Sequence, residues 1–266
     1  MVRGVFTAWN GIRFFTGLVY LFTFAPIAVV VLLSFNDSMF GSFPLTGFSL
    51  RWFGTLAANE AIMRAFKTSL LLGSLTAVIS TTIGVAACIA IVRYEFPGKE
   101  LVNTLLVTPI LVPEVVLGVA LLLFLKWLDF SRSFGVLLLG HVILTLPYVV
   151  LVVQARLYGI RRVYEEAALS LGANRMQAFR EVTMPLLMPA IFAGMLFALT
   201  ISFDNVTATM FWKSAGLETV PTQIFGMLRN SISPEINALG TVMIVITVGL
   251  PLVAGGVVRY FGRARV

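Results

Sequence analysis

Charged side chains are scarce in this chain. Asp, Glu, Lys and Arg make up 12% of its 266 residues, whereas hydrophobic residues make up 59%. A soluble globular domain carries about 25% charged residues. The chain therefore has too little polar surface for a soluble protein, and we expect an all-α integral membrane protein in contact with membrane lipid. Its net charge of +7 could suggest a nucleic acid partner. The basic residues are instead spread between apolar segments, so we predict no nucleic acid binding.

Cysteine and histidine occur only once each, as Cys88 and His141. A single cysteine excludes a disulfide within the chain. A metal site needs several ligands, so we predict no bound metal. Cys88 stands in an apolar run and is predicted to be a small packed core residue. His141 lies in a predicted membrane span, where we expect an interhelical hydrogen bond.

A nucleotide-binding motif is also missing. A P-loop needs Gly, four residues, and then Gly-Lys-Ser/Thr. The Gly98-Lys99 pair has Arg93 in place of the first glycine and Glu100 after the lysine. If the protein uses ATP, another chain must bind it. We therefore expect no cofactor and no catalytic set in this chain, and we predict that it is not an enzyme.

Six apolar segments are long enough to cross ~30 Å of hydrocarbon, which takes about 20 residues. We predict spans at about 14–35, 68–92, 101–125, 136–158, 188–211 and 238–258. Pro109 and Pro113 interrupt the third span, and Pro147 and Pro251 lie inside the fourth and sixth. Neighbouring helices can satisfy the carbonyls that such prolines free. We divide the chain into a first span with its outer loop (1–65), a five-span core (66–258) and a C-terminal tail (259–266).

Lys and Arg are more frequent on one side of this arrangement. With the N-terminus inside, the inner segments hold twelve of the 19 basic residues and the outer segments seven. The inner ones are Arg3, Arg13, Arg93, Lys99, Arg156, Arg161, Arg162, Arg175, Arg180, Arg259, Arg263 and Arg265. Cytoplasmic loops carry such an excess, so both termini are predicted to be cytoplasmic. Trp9 near the inner side, and Trp52, Trp127 and Trp212 near the outer side, are predicted to form aromatic belts.

The loop between the fourth and fifth spans has a distinctive pattern. Glu165 and Glu166 begin a predicted short helix that ends at Gly172, and a second short helix is expected to end at Pro185. Acids favour the positive end of the helix dipole and can meet a basic partner. The small residues Ala167 and Ala168 allow close approach of a partner. The pattern alone leaves two interpretations open, a docking element and an amphipathic loop lying on the headgroups.

This loop resembles the EAA loop of bacterial ABC importer permeases. The family pattern is Glu-Ala-Ala, three residues, Gly, nine residues, an aliphatic, any residue, an aliphatic and Pro. The matching residues here are Glu166, Ala167, Ala168, Gly172, Val182, Met184 and Pro185. The resemblance implies a MetI-like permease of the bacterial inner membrane, whose cytoplasmic coupling loop (156–187) fits a cleft in an ATP-binding subunit. It also implies two ATP-binding cassette subunits that bind ATP-Mg, a second permease subunit forming a heterodimer, and a periplasmic substrate-binding protein.

Two acids fall inside predicted spans, Glu114 in the third and Asp204 in the fifth, where Asn205 follows. At ~1.5 Å per residue along a helix, they lie roughly 20 Å and 24 Å from the inner ends of their spans. No Lys or Arg lies at that depth in the predicted spans. Acids in a membrane usually face a bundle interior or a water-filled path. We predict a path for a small cationic solute, with the alternative that both acids are protonated or bonded to Thr or Asn neighbours.

Further stretches resemble the spermidine/putrescine permeases of the PotC type within this family. They are 113–116, His141 with Leu146-Pro147, 202–206, 224–229 and 233–239. The resemblance implies polyamine import. The subfamily often has two consecutive acids where this chain has Asp204-Asn205. Importers of opines, amino-acid derivatives, aminoethylphosphonate or ferric ion share much of the pattern, so these cargoes stay open. An autonomous carrier is a third alternative, although the inverted repeats of many carriers are not evident.

Overall fold

The computed structural model describes residues 2–39, 43–230 and 233–263. Within these ranges the regular elements are helical, apart from one isolated antiparallel bridge between Asn36 and Phe48. The helices are α1 (Val2–Ser34), α2 (Arg51–Ala58), α3 (Glu60–Arg93), α4 (Lys99–Val107), α5 (Glu114–Trp127), α6 (Phe134–Gly159), α7 (Val163–Ser170), α8 (Arg175–Ala178), α9 (Met184–Asp204), α10 (Thr207–Trp212), α11 (Val220–Asn230) and α12 (Glu235–Arg263). A 3₁₀ turn (Thr108–Leu111) follows α4, and a π turn (Phe179–Thr183) joins α8 to α9.

The predicted all-α membrane fold is confirmed. Among the described residues, the helical stretches long and apolar enough to cross a membrane are Trp9–Ser34, Glu60–Arg93, Phe134–Gly159, Arg175–Asp204 and Glu235–Leu252. The sixth candidate is a bent pair, Lys99–Leu111 with Glu114–Trp127. Part of the predicted C-terminal tail continues α12 to Arg263, and the rest of that tail lies outside the described residues.

The third predicted span is broken rather than continuous. Its two halves meet at 114°. Pro109 and Pro113 cannot donate the backbone hydrogen bonds that a helix needs. Val112, immediately before Pro113, is extended with φ −88° and ψ 128°, which is the conformation that a following proline favours. The depth predicted for Glu114 assumed a straight helix, and the bend removes that assumption.

Contacts divide the chain into two compact units, which we describe separately. One comprises Met1–Met63 with Ile224–Ile246, and the other comprises Arg64–Gln223 with Thr247–Val266. The predicted division into 1–65, 66–258 and 259–266 stays a prediction.

In the first unit, Trp52 is 5% exposed, and its indole N–H donates to the Asn36 carbonyl at 2.8 Å. Thr46 N–H donates to the Asn36 side chain at 2.9 Å. Trp52 therefore packs inside its own loop, and its assignment to an aromatic belt is wrong because its polar atom is satisfied internally. Trp9 remains exposed, as a belt residue should be.

In the second unit, α6 lies at the centre of the core. Its residues Val149, Val150 and Val153 are fully buried in a cluster that also contains residues of α3 and α9. Helix α3 can approach these valines of α6 closely where it carries a small residue. A methyl group added at Gly84 of α3 would lie 2.8 Å from Val149 Cγ1. Cys88 is fully buried beside α6, where its thiol donates to the Val150 carbonyl at 3.4 Å, which confirms the predicted core role.

Candidate functional site

The loop between α6 and α9 begins with a helix that stops abruptly at a glycine. After α7, Gly172 adopts φ +92°, a left-handed conformation that side chains disfavour. Gly172 N–H donates to the Leu169 carbonyl at 3.0 Å, and Ala173 N–H donates to the Ala168 carbonyl at 3.1 Å. This pair of bonds is the Schellman helix ending. The predicted helix end at Gly172 is thus confirmed, and the chain turns sharply there.

The second half of the loop restarts the helix within two residues. The Asn174 side chain accepts from Gln177 N–H at 2.9 Å, and the Gln177 side chain accepts from Asn174 N–H at 2.8 Å. This reciprocal pair forms a capping box that starts α8. The prediction that Pro185 ends the second helix is wrong, since Pro185 lies in the first turn of α9. The π turn shifts the hydrogen-bonding register immediately before this proline, which has no N–H to donate.

Several apolar side chains of this loop face outward. Leu171 at the turn is 90% exposed, Met176 is 70% exposed, and Val163 is 53% exposed. Among the predicted coupling residues, Glu166 and Ala167 are exposed and Ala168 is partly buried. Large apolar side chains that stay exposed between polar residues are typical of a surface that binds another protein.

Glu165 differs from Glu166 because its carboxylate is already engaged within the chain. Its Oε1 atom lies 2.8 Å from Arg93 Nη2 at the end of α3. The Thr183 hydroxyl donates to the same oxygen at 2.7 Å. The sequence predicts Glu165 as a partner-binding acid and Arg93 only as an inner basic residue, and the structure joins the two instead. The only sequence signal for this contact is a cation in the last turn of a long apolar helix.

A second polar cluster forms where two predicted spans are broken. Glu114 is the first residue of α5, and Asn205 lies in the two-residue break between α9 and α10. The Asn205 side-chain amide donates to Glu114 Oε1, and Ala208 N–H approaches the same oxygen at 3.4 Å. Neither described bond uses Oε2, which is left available for another donor. The structure thus brings together Glu114 and Asn205, two of the three predicted path residues.

Asp204, the third predicted path residue, ends α9 beside Asn205. Its side chain is exposed, and it forms no hydrogen bond or ion pair with another described residue. The alternative that a Thr or Asn neighbour holds each acid therefore fits Glu114 but not Asp204.

His141 connects this break to α6. Its side chain is fully buried, with Nδ1 2.7 Å from the Ser202 hydroxyl and Nε2 2.9 Å from the Thr209 hydroxyl. The Thr209 hydroxyl in turn donates to the Asn205 carbonyl at 2.9 Å. In the tautomer that lets Thr209 keep this bond, His141 Nε2–H donates to Thr209 and Nδ1 accepts from Ser202; in the other tautomer both directions reverse. The predicted interhelical hydrogen bond is confirmed, and it forms part of a chain that runs to Glu114.

Trp212 holds α10 against its neighbours. It is fully buried, and its indole N–H donates to the Gly118 carbonyl of α5 at 2.9 Å. Its ring lies so close to α6 that a methyl group added at Gly140 would be 2.1 Å from Cε3. The prediction that Trp212 belongs to an aromatic belt is wrong because the broken span folds the indole inward. Gly140 makes room for the Trp212 ring and Gly118 makes room for the Phe211 ring of the same helix, and the sequence pattern did not reveal either role.

Comparisons with known proteins agree with this arrangement. Residues 80–265 match the family described as "Binding-protein-dependent transport system inner membrane component". The spermidine/putrescine transport system permease protein PotC of Escherichia coli K12 is 34% identical over 88% of both chains. The putrescine transport system permease protein PotI of the same strain is 33% identical over 85% of this chain and 82% of that protein.

A solved structure gives independent support for the fold. A chain of a bacterial ABC transporter that imports the acidic polysaccharide alginate has a TM-score of 0.74 at 16% identity, covering 97% of this chain and 98% of that one. The family match extends over most of the core, and the PotC relative covers nearly the whole chain. The chain therefore belongs to the family of inner membrane components of binding-protein-dependent transport systems.

Proposed function

We propose that this chain is a permease subunit of an ATP-driven importer and that its α7–α8 loop docks on an ATP-binding cassette subunit. The complete importer would contain two such subunits, a second and different permease subunit, and a periplasmic substrate-binding protein. ATP-Mg binds in the cassette subunits, so this chain needs no cofactor. Both termini and the α7–α8 loop face the cytoplasm, where ATP is available, in keeping with the excess of basic residues on that side.

The exposed apolar residues of the loop are the observation that carries the coupling role. Leu171 has 90% of its surface free at a turn held by a Schellman ending and a capping box. Such a turn presents its side chain without first having to be ordered, which lowers the cost of binding. Glu166, Ala167 and Ala168 lie on the preceding helix, where small residues permit close contact with a partner. Gly172 and Pro185 set the shape of the loop.

Replacing Leu171 tests this docking directly. Burial of a leucine side chain is worth ~1.5–3 kcal/mol, so Leu171→Asp should weaken capture of the purified ATP-binding subunit by at least tenfold. Ser170→Asp is the matched control, since it adds the same charge one residue away and removes no apolar surface. If the Leu171→Asp variant captures the ATP-binding subunit as well as the wild type does, this loop is not the docking element.

The cargo we propose is a polyamine, putrescine or spermidine. Two relatives named for these solutes are at least 33% identical to this chain. Chemically, Glu114 and Asp204 supply carboxylates near one break in the helices, and Asn205 supplies an amide oxygen. No Lys or Arg is bonded to them among the described residues. An ammonium group has three donors and no acceptor, and it pairs well with such oxygens.

Uptake of labelled putrescine and spermidine into proteoliposomes tests this cargo. The vesicles would contain this chain, the second permease subunit, the ATP-binding subunits and the cognate binding protein. Saturable uptake that requires ATP supports the proposal. ATP hydrolysis stimulated by the binding protein without polyamine uptake would overturn the cargo and leave the importer. An opine, an amino-acid derivative, aminoethylphosphonate or ferric ion would then be tested, because Asn205 replaces an acid that is frequent in the polyamine subfamily.

A further inference from the structure

An ion pair and a few hydrogen bonds connect the end of α3 to the α7–α8 loop. Arg93 Nη2 lies 2.8 Å from Glu165 Oε1 and also donates to the Ile160 carbonyl at 3.2 Å. The Thr183 hydroxyl donates to the same Glu165 oxygen at 2.7 Å. One carboxylate thus joins α3, α7 and the π turn that leads into α9. The Arg93 and Glu165 side chains are 11% and 24% exposed, so water screens this pair less than it screens a surface pair.

A second basic residue strengthens the same junction. Arg162 Nη2 donates to the Val92 carbonyl at 3.1 Å and to the Arg93 carbonyl at 3.3 Å. These carbonyls belong to the last turn of α3, where intrahelical partners run out. Arg162 immediately precedes α7, so the start of the loop is tied to the end of α3 as well.

A groove of about 660 Å³ lies beside this junction, and Arg93, Glu165 and Thr183 line it together with apolar side chains of both elements. The Arg93–Glu165 pair therefore joins the end of α3 to the loop at the wall of this groove.

We propose that Arg93 is a positioning residue that carries movement of the coupling loop into α3 through Glu165. The inference rests on the proposed docking of that loop. Covalent connections already link the loop to α6 and α9, so a movement of α7 reaches these helices without further contacts. Helix α3 is separated from the loop by α4, α5 and α6 in the chain. The Arg93–Glu165 pair gives it a direct attachment, which would let three helices respond to one docking event.

The test is a double-mutant cycle on the reconstituted importer, with uptake per ATP hydrolysed as the readout. Arg93→Gln and Glu165→Gln should each lower this ratio, within the roughly 2- to 30-fold range typical of changes in a coupling network. The double variant should be no worse than either single one, because two residues that act as one pair lose their shared effect once. A merely structural defect would lower the amount of folded complex and leave the ratio unchanged.

Arg132→Gln is the matched control, since Arg132 is an exposed cation outside the α7–α8 loop that forms no ion pair with a described residue. It should keep the wild-type ratio. An unchanged ratio in Arg93→Gln, or single effects that multiply in the double variant, would overturn the inference.

Measuring capture of the ATP-binding subunit distinguishes a failure of the role proposed for Arg93 from a failure of the docking proposal. If Leu171→Asp loses capture while Arg93→Gln keeps the wild-type ratio, only the role of Arg93 is refuted. If Leu171→Asp keeps capture, the docking proposal fails and the role of Arg93 fails with it.

Discussion

Gly140→Ala should destabilise the protein because it forces a methyl group into the Trp212 ring. The added carbon would lie 2.1 Å from Cε3 and 2.3 Å from Cζ3. The ring cannot simply move away, since it is fully buried and its N–H donates to the Gly118 carbonyl at 2.9 Å. The backbone of α6 or α10 must therefore shift.

The size of the effect follows from two opposing terms. Overpacking of a core costs ~1–3 kcal/mol, whereas Gly to Ala inside a helix recovers ~0.5–1 kcal/mol. A contact as short as this one belongs at the upper end of the first range, so the net loss should be about 1–2 kcal/mol. For a chain of this size, that loss corresponds to a fall in Tm on the order of 2–8 °C.

Thermal unfolding of the purified protein in detergent measures this difference. Gly135→Ala in the same helix is the matched control, because its added carbon would meet no atom closer than the Ser133 hydroxyl at 3.8 Å. Polyamine uptake by Gly140→Ala should also fall, since Thr209 lies in α10 and Asn205 lies two residues before that helix. Equal Tm values for the two variants would refute the packing of Trp212 against Gly140.

Three further substitutions test the loop and the polar cluster. Gly172→Val should weaken capture of the ATP-binding subunit more than Gly172→Asn does, because valine resists the left-handed backbone by ~1–2 kcal/mol and asparagine tolerates it; equal capture would contradict the role of the turn. Asp204→Asn should reduce uptake and preserve assembly and basal ATP hydrolysis, and unchanged uptake would remove Asp204 from the path. Asn205→Ala should lower uptake, since it removes the amide that donates to Glu114; uptake at the wild-type level would show that the amide is not needed there.

Much of the structure of the α7–α8 loop could be predicted because it depends on residues close together in the sequence. Helix propensity, a glycine at the end of α7 and the spacing of the family pattern all concern residues within a few turns of one another. The φ of +92° at Gly172 agrees with that local prediction. The prediction for Pro185 was wrong because a π turn precedes this proline. A new helix, α9, therefore begins where the sequence predicts a helix end.

The polar cluster was only partly predictable. Pro109 and Pro113 marked an interruption of the third span, but local rules give no bend angle. The observed 114° depends on what packs around the break. Glu114 was recognised as unusual because an acid in an apolar run is rare. Its partner Asn205 lies 91 positions further along the chain, and a single sequence holds no signal for such a pairing.

Composition and local pattern alone determined that this chain is a helical membrane protein, where its apolar segments lie and where its α7–α8 loop turns. These properties follow from the apolar surface of each segment and from backbone preferences of neighbouring residues, so they need no tertiary contact. Only the tertiary structure decided that Glu165 is held by Arg93, that His141 is linked through Thr209 to the Asn205 beside Glu114, and that Trp212 lies inside the protein. Those contacts join helices distant in sequence, and their energies depend on atoms that meet only when the chain has folded.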